Sequence, residues 1–522
     1  MRFWIDLHGC AKNQVDGEEI LARLEERGHS WVDEASKADL IIVNTCGFIE
    51  DAKKESIQAV ISLKAAHPEA KILVAGCLAQ RYAADLAADL GEADGIVGNA
   101  DLGAVLEAAE AALAGKRPVL VPEAAASIGV RARTRLFDYP GTAHVKITEG
   151  CSNRCSYCAI PLIRGNLRSR PVEEVLAECA ALVSRGIHEL VLIGQDLGSY
   201  GLDLRRTSAT RRRAGVAAGA ASAGQDGASA GQDGARLLPE LLAGLSALPG
   251  DFRVRTLYIH PDNFPAGILP LMAADERLLP YFDLPFQHAS ARILKAMNRR
   301  GSAEVYLELL DRVRSALPDA VIRSTFLLGF PGETDEDFAA LRDFQEKARL
   351  DWLGAFAYSR EEGTAAYALR PAVGRKVVAE RKRAVEEAQE RITRTGLERF
   401  VGRELRVLVE EEAAPVPGPG GRGSDGEGGR GSGAVGTGAF GPEGERDGEG
   451  GRGSGAVGPG PVGTGPADLG EADEEFSLGR AWMQAPEVDG LTVLRGRRRP
   501  GELVRARILA VAGVDFDAAI LD

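Results

Sequence analysis

Short apolar runs alternate with helical patterns along most of this 522-residue chain, and that alternation restricts the possible folds more than any other feature. Within 1–114, Phe3–Leu7, Leu40–Val43 and Ile72–Ala75 read as strands, with helical patterns at Glu18–Arg27 and Ile57–Ala66 between them. Strands separated by helices imply βαβ units and a parallel sheet. From Thr142 to about Ala388 the alternation resumes, with strands expected at Val145–Thr148, Glu189–Ile193, Thr256–His260, Phe282–Phe286, Ile322–Leu328 and Leu353–Tyr358. Helical patterns such as Val172–Ser184, Ser302–Ala316 and Glu336–Ala348 fall between these strands. Six such repeats suit a partial (β/α)6 barrel with its chemistry at the strand C-termini. An open doubly wound sheet fits the same periodicity. Beyond the basic helix Lys376–Arg399, the runs Glu404–Val409, Leu478–Met483 and Leu503–Val511 read as strands of a small β-barrel.

The 63 glycines do not blur this picture, because they are unevenly spread: 6 lie in 205–236 and 23 in 413–474. Ala221–Gly227 is repeated at once as Ala228–Gly234, and Asp425–Gly436 recurs as Asp447–Gly458. Such compositions bury no apolar surface and read as flexible insertions without chemistry. The α/β chain is therefore expected to comprise an N-terminal domain over 1–114, a central domain over 137–390 interrupted at 205–236, and a C-terminal barrel over 396–522 interrupted at 413–474. No run of 18 apolar residues is present, so no membrane span is expected. The first 13 residues lack a secretory pattern, which points to the cytoplasm. A net charge of -13 argues against gripping nucleic acid by overall charge. The run Arg497–Arg499 reads as a solvated loop, with a local contact to RNA as the alternative.

Seven cysteines in such a chain suggest metal or redox chemistry rather than disulfides. Cys151, Cys155 and Cys158 stand in CSNRCSYC, directly after the first strand of the central block. Three thiolates on one loop can hold three irons of a cubane and leave the fourth open to a small ligand. A structural zinc site wants four closed ligands, and the nearest candidate, His144, falls within the expected strand. Cys10, Cys46 and Cys77 are far apart in sequence, yet each follows the C-terminal end of an expected strand: WIDLHGC, LIIVNTC and ILVAGC. In a parallel sheet those ends share one edge, so the three thiols can converge. Buried core cysteine is the alternative for each. Cys179 lies on the apolar stripe of Val172–Ser184 and reads as core.

With Tyr157 before its last cysteine, CSNRCSYC resembles the CxxxCxxC signature of radical S-adenosylmethionine enzymes. The cysteine order, the radical module and the terminal barrel together resemble the methylthiotransferase family, whose barrel is called TRAM. Where the tRNA-modifying branch typically reads TCSVRE and VPYTRG, this chain reads Cys46-GFIEDAKKES and Ala159-IPLIRG, similar to the ribosomal-protein branch. Arg168–Pro171, Ile193–Asp196, Asp283–His288, Phe330–Thr334, Tyr358–Thr364 and Ala485–Gly490 are similar to that branch as well. The first-cysteine motif departs from it, reading HGCAKNQVDGE where LGCPKNLVDSE is nearer the family pattern.

The resemblance implies two 4Fe–4S clusters, one on Cys151, Cys155 and Cys158 and an auxiliary one on Cys10, Cys46 and Cys77. S-adenosylmethionine would lie near Tyr157, Gln195 and Arg323, and its reductive cleavage would give a 5′-deoxyadenosyl radical. That radical would abstract a hydrogen from the β-carbon of an aspartate in small-subunit ribosomal protein S-twelve. The auxiliary cluster would present sulfur methylated by a second S-adenosylmethionine. A reductant such as flavodoxin or ferredoxin and a sulfur donor are implied partners. A tRNA adenosine methylthiotransferase and a non-catalytic iron–sulfur electron carrier are the other readings. Asp196, Gln287 and His288, at strand ends, read either as cavity residues or as satisfied structural groups, and Gly329, Pro331 and Gly332 either approach a cofactor or make a turn.

Overall fold

Strand β3 (Leu40–Thr45) is buried at every residue, as a strand covered on both faces of a parallel sheet must be. It lies between β1 (Arg2–Leu7) and β4 (Lys71–Gly76), and the sheet continues through β5 (Gly95–Gly98) to β6 (Val119–Leu120), with β2 (Ser30–Trp31) at the other edge. Every pairing is parallel. Leu7 is in register with Asn44, and Thr45 with Gly76, so β1, β3 and β4 end together. The computed structural model describes residues 1–124, 128, 132–204, 236–413 and 475–521. Both expected insertions lie outside these residues, apart from Arg236 and Ala413 at their ends. The described residues form two compact units, one within Met1–Pro122 and one within Glu123–Ala413 and Glu475–Leu521.

In the second unit, β7 (Thr142–Lys146), β10 (Glu189–Ile193), β11 (Arg253–Thr256), β12 (Leu278–Asp283), β13 (Val321–Leu328) and β14 (Trp352–Ala357) form an all-parallel six-stranded sheet. Its strands lie side by side in chain order, as in the expected partial (β/α)6 barrel. A short pair, β8 (Thr148–Glu149) and β9 (Arg168–Ser169), flanks the cysteine loop. Alternate residues such as Val145, Leu190, Leu192, Val254, Phe282, Ile322 and Phe326 enter one large apolar core with the helices. The residues between them give the other face an unusual load of charge: Lys146, Glu189, Arg253, Arg255, Asp283 and Arg323. Cys179 is fully buried in that apolar core, on the helix Val172–Ser184.

The remaining strands, β15 (Glu404–Ala413), β16 (Phe476–Arg480), β17 (Thr492–Arg495), β18 (Leu503–Ala512) and β19 (Asp515–Ile520), close into a barrel. Ala413 pairs with Phe476, so the residues bounding the second insertion are neighbours in the sheet. Among the described residues no helix is long and apolar enough to cross a membrane.

Several expected strand limits differ from the structure. Thr256–His260 and Phe282–Phe286 are placed too late: β11 ends at Thr256 and β12 at Asp283. Tyr258 takes a left-handed backbone angle (φ +64°) that ends the extended run after β11, and Pro285, just past β12, has no N–H to give a ladder. Leu257, Ile259, Leu284 and Phe286 are buried all the same, which is why their pattern reads as strand. The first helix begins at Ala11 rather than Glu18, because its opening turns are polar. The short strands β5 and β17 carry too few residues for a periodic signal.

Candidate functional site

Cys151, Cys155 and Cys158 occupy a loop that begins where β8 ends. Gly150 adopts φ +72°, and a Cβ there would lie 2.2 Å from the carbonyl of Asn166, so only glycine lets the loop pass so close to its own return segment. The Cys151 amide donates to the Gly165 carbonyl at 3.1 Å and closes that return. Asp196, one residue past Gln195, anchors the loop from inside. Its Oδ2 accepts from Asn153 Nδ2 at 2.9 Å, Asn263 Nδ2 at 2.7 Å and Ser199 Oγ at 2.6 Å. Its Oδ1 accepts from the amides of Gly198 and His260, both at 3.0 Å. From the other side Ser156 is tied to the carbonyls of Met297 and Ala296, and Asn298 donates to the Arg154 carbonyl.

Asp196→Ala leaves buried donors without an acceptor, and an unsatisfied buried polar group costs about 1–3 kcal/mol. The variant is expected to lose about 3–5 kcal/mol in urea unfolding and to take up less iron than the parent on anaerobic reconstitution, with every cysteine still present.

Cys151, Cys155 and Cys158 are near enough to act electrostatically on one another, and burial pushes the thiols of Cys151 and Cys158 up to about 12. Such thiols ionise when cationic irons bind them. Among the described residues, no three His, Cys, Asp or Glu side chains are placed to hold a single metal ion. Three thiolates on one loop suit a cubane, whose irons take one protein ligand each. His144 is bound elsewhere: its Nδ1 and Asp138 Oδ1 stand 2.5 Å apart, both side chains buried.

Tyr157 packs with Ile293, Met297, Leu327, Phe330 and Ala366, and its hydroxyl accepts from Arg299 Nη1 at 3.4 Å. Gln195 donates to Glu149 Oε1 at 3.3 Å, and its own carbonyl oxygen has no hydrogen-bond partner among the described residues. Glu149 also pairs with Arg164 at 2.7 Å and Lys146 at 3.1 Å; burial raises its pKa, but these two cations hold it well below the usual carboxylate range. Arg323 is engaged by Asp283 at 3.1 Å and by Asp489 at 3.4 Å, the latter within Ala485–Gly490 of the C-terminal barrel. His288 is fully buried and accepts the amides of Ala289 and Ser290 on Nδ1, as a structural group does. His260, Asn263, Asn298 and Arg299 escaped the sequence reading. Their only signal is position, directly after a strand or in the turn following the short helix Ala291–Ala296.

In the first unit Asn13 ties together the segments that carry the other three cysteines. Its amide nitrogen donates to the carbonyls of His8 and Thr45 at 2.9 and 3.0 Å, bridging the ends of β1 and β3. Its carbonyl oxygen accepts from the Cys77 thiol at 3.3 Å, and its backbone amide binds the Cys10 carbonyl at 2.8 Å. Cys46 follows Thr45, and Asn99 Nδ2 donates to the Cys77 sulfur at 3.3 Å. A Cβ on Gly47 would lie 2.8 Å from backbone atoms of Cys77 and Leu78, so the cysteine-bearing segments touch where only glycine fits. Cys10 is exposed, Cys46 half-buried and Cys77 buried. The aligned strand ends thus deliver three thiol-bearing residues to one asparagine.

Three family profiles match the chain: Uncharacterized protein family UPF0004 over residues 2–98, the Radical SAM superfamily over 145–344, and the TRAM domain over 468–521. The ribosomal protein uS12 methylthiotransferase RimO of Treponema denticola is 39% identical over 98% of this chain and 99% of its own length. The protein of that name from Thermotoga maritima is 34% identical over 97% of each chain. The one from Moorella thermoacetica is 40% identical over 77% of this chain and 86% of its own. Among solved structures, the radical S-adenosylmethionine methyltransferase TsrM from Kitasatospora setae aligns with a TM-score of 0.47 at 15% identity, covering 70% of this chain and 73% of that one. With relatives at this identity along nearly its whole length, the chain belongs to the RimO family of ribosomal protein uS12 methylthiotransferases, within the radical S-adenosylmethionine superfamily.

Proposed function

We propose that this protein adds a methylthio group to the β-carbon of an aspartate in ribosomal protein uS12. The observation that carries the reading is the match to proteins of that name along nearly the whole chain, both cysteine-bearing units and the terminal barrel included. Membership of the radical superfamily brings a 4Fe–4S cluster and S-adenosylmethionine. Cys151, Cys155 and Cys158 are the residues that would hold that cluster, with Tyr157, Gln195 and Arg323 as contacts for S-adenosylmethionine. Cys10, Cys46 and Cys77 would hold a second 4Fe–4S cluster in the other unit, and their gathering round Asn13 supports this. When bound, these groups supply the radical that removes an unactivated hydrogen and the sulfur that replaces it.

This chain's own residues bind and hold. Asp196 and Asn153 fix the loop that carries the three radical-site thiols. Glu149 pairs with both Lys146 and Arg164 beside Gln195, and Tyr157 closes the loop against an apolar wall. A basic ribosomal protein suits an enzyme of net charge -13. A cytoplasmic location, a flavodoxin- or ferredoxin-like reductant and a sulfur donor complete the reading.

The test is the reconstituted, reduced protein incubated with S-adenosylmethionine and either uS12 or tRNA. Expected are 5′-deoxyadenosine and a mass gain of about 46 on the aspartate-bearing peptide of uS12, SCH₃ having replaced H. Modification of tRNA with none on uS12 would transfer the assignment to the tRNA branch, and absence of 5′-deoxyadenosine would leave an electron carrier.

A further inference from the structure

Of the three thiols in the radical loop, Cys155 has surroundings unlike the others. Backbone amides of Asn153 and Ile160 lie by the sulfurs of Cys151 and Cys158. At Cys155 two buried side chains approach instead: His260 Nε2 and Arg299 Nη1, each 3.9 Å from Sγ. We propose that His260 and Arg299 donate hydrogen bonds to the Cys155 thiolate and so set the reduction potential of the cluster held there. This rests on the reading that Cys151, Cys155 and Cys158 hold a 4Fe–4S cluster.

The imidazole is aimed by its surroundings. Asp196 Oδ1 accepts the His260 amide at 3.0 Å, and His260 Nδ1 accepts the Asp262 amide at 3.2 Å. A ring nitrogen that accepts an N–H carries no proton, so the proton of the neutral ring sits on Nε2, the atom facing Cys155. The residue is 9% exposed, which excludes water as a competing partner over most of its surface.

Arg299 supplies an independent argument. It is 5% exposed, its Nη2 donates to the Pro285 carbonyl at 2.6 Å, and its Nη1 reaches the Tyr157 hydroxyl. Among the described residues no carboxylate pairs with it; the nearest acid, Asp262, accepts the Arg300 amide. A guanidinium buried without a counter-charge is costly, by several kcal/mol. A thiolate at Cys155 provides the missing anion. Five other buried arginines of this unit show the contrast: Arg164, Arg253, Arg255, Arg381 and Arg480 each face a carboxylate.

The direction follows from charge. Reduction adds an electron that spreads onto the cluster's sulfurs, so donors and a positive charge at one ligand stabilise the reduced form and raise the potential. Removing either is expected to make the cluster harder to reduce.

The test uses the full-length chain with Cys10, Cys46 and Cys77 replaced by Ala, so that only the radical-site cluster is present, reconstituted and titrated against solution potential by electron paramagnetic resonance. In this background His260→Leu is expected to lower the ratio of reduced to oxidised cluster about tenfold at a fixed potential, a shift of about 59 mV for a one-electron couple. Arg299→Met is expected to lower it further, since charge is lost as well as a donor. His260→Gln, whose amide reaches the Nε2 position, is expected to keep the parent potential, while His260→Asn, whose amide reaches only the Nδ1 position, shifts like Leu. If Leu or Met takes up no iron, the Gln and Asn pair decides the matter. Full iron content with an unchanged potential in Leu and Asn would overturn the inference alone. A parent protein that takes up no cluster would overturn the reading beneath it.

Discussion

Replacing Cys10, Cys46 and Cys77 together by Ala is expected to lower the iron content of the reconstituted protein from about eight to about four per chain, while 5′-deoxyadenosine is still formed and methylthio transfer to uS12 is lost. The separation of these effects follows from the construction of the chain. The first triad hangs from the ends of β1, β3 and β4, and the second from a loop after β8 in a different compact unit. Each has its own sheet and its own hydrogen-bonded anchor, Asn13 in one and Asp196 in the other. Losing the first set of thiols removes nothing that holds the second. The converse variant, with Cys151, Cys155 and Cys158 replaced, is expected to retain about four irons and to form no 5′-deoxyadenosine. Iron analysis with product quantification checks both. Stoichiometric zinc in place of iron in the parent would sink the assignment of both triads.

The two triads were legible in the sequence for different reasons. The radical cysteines share eight residues, so spacing alone brings them together. Cys10, Cys46 and Cys77 were legible only through topology, since strands that end in register turn three distant positions into neighbours. Gly47 has no such signal, because its constraint is an approach to Cys77 that exists only once the chain is folded. His260 and Arg299 were invisible for the same reason. Each lies more than 100 residues from Cys155 in the chain, and no periodicity encodes an N–H aimed across such a separation. The face of the sheet opposite the apolar core was misleading in the other direction. A strand read as RVRT would ordinarily be taken for an exposed edge, yet all of Arg253–Thr256 is buried. Those charges are inside because a second element brings charges to meet them.

That meeting point should be the most sensitive position for the stability of the second unit, and Glu189→Gln is expected to destabilise it by about 3–5 kcal/mol or more. Glu189 is fully buried at the start of β10. Its Oε2 accepts from Arg253 Nε at 2.9 Å and Nη2 at 2.7 Å, and its Oε1 accepts from Arg255 Nε at 2.7 Å. Arg480, the last residue of β16, reaches in from the C-terminal barrel to within 3.3 Å of the same carboxylate, and also binds Thr142, Glu410 and the Gln484 carbonyl. Close by, Tyr281 donates to Asp489 and Trp352 to the Met483 carbonyl, so the segment after β16 seals one end of the sheet's charged face. Neutralising Glu189 leaves the guanidiniums of Arg253, Arg255 and Arg480 buried together, with Glu410 the remaining carboxylate bound to them. Arg480→Met removes one cation while Glu189 keeps two partners, and its cost should be smaller. Arg406→Ala, which breaks an exposed pair with Asp251, should cost no more than about 1 kcal/mol. Acid supplies the same perturbation without a mutation. Burial pushes the Glu189 carboxyl upward, but Arg253, Arg255 and Arg480 hold it well below the usual carboxylate range. A depressed folded pKa contributes stability that is fully present above the unfolded value of about 4.3 and fades as pH falls toward the folded one. Urea unfolding of the parent should therefore weaken below about pH 4.3, and the Gln variant, already lacking the charge, should lose less over the same range. Equal stability of parent and Gln variant at neutral pH would mean that the buried arginines are neutralised by something other than Glu189.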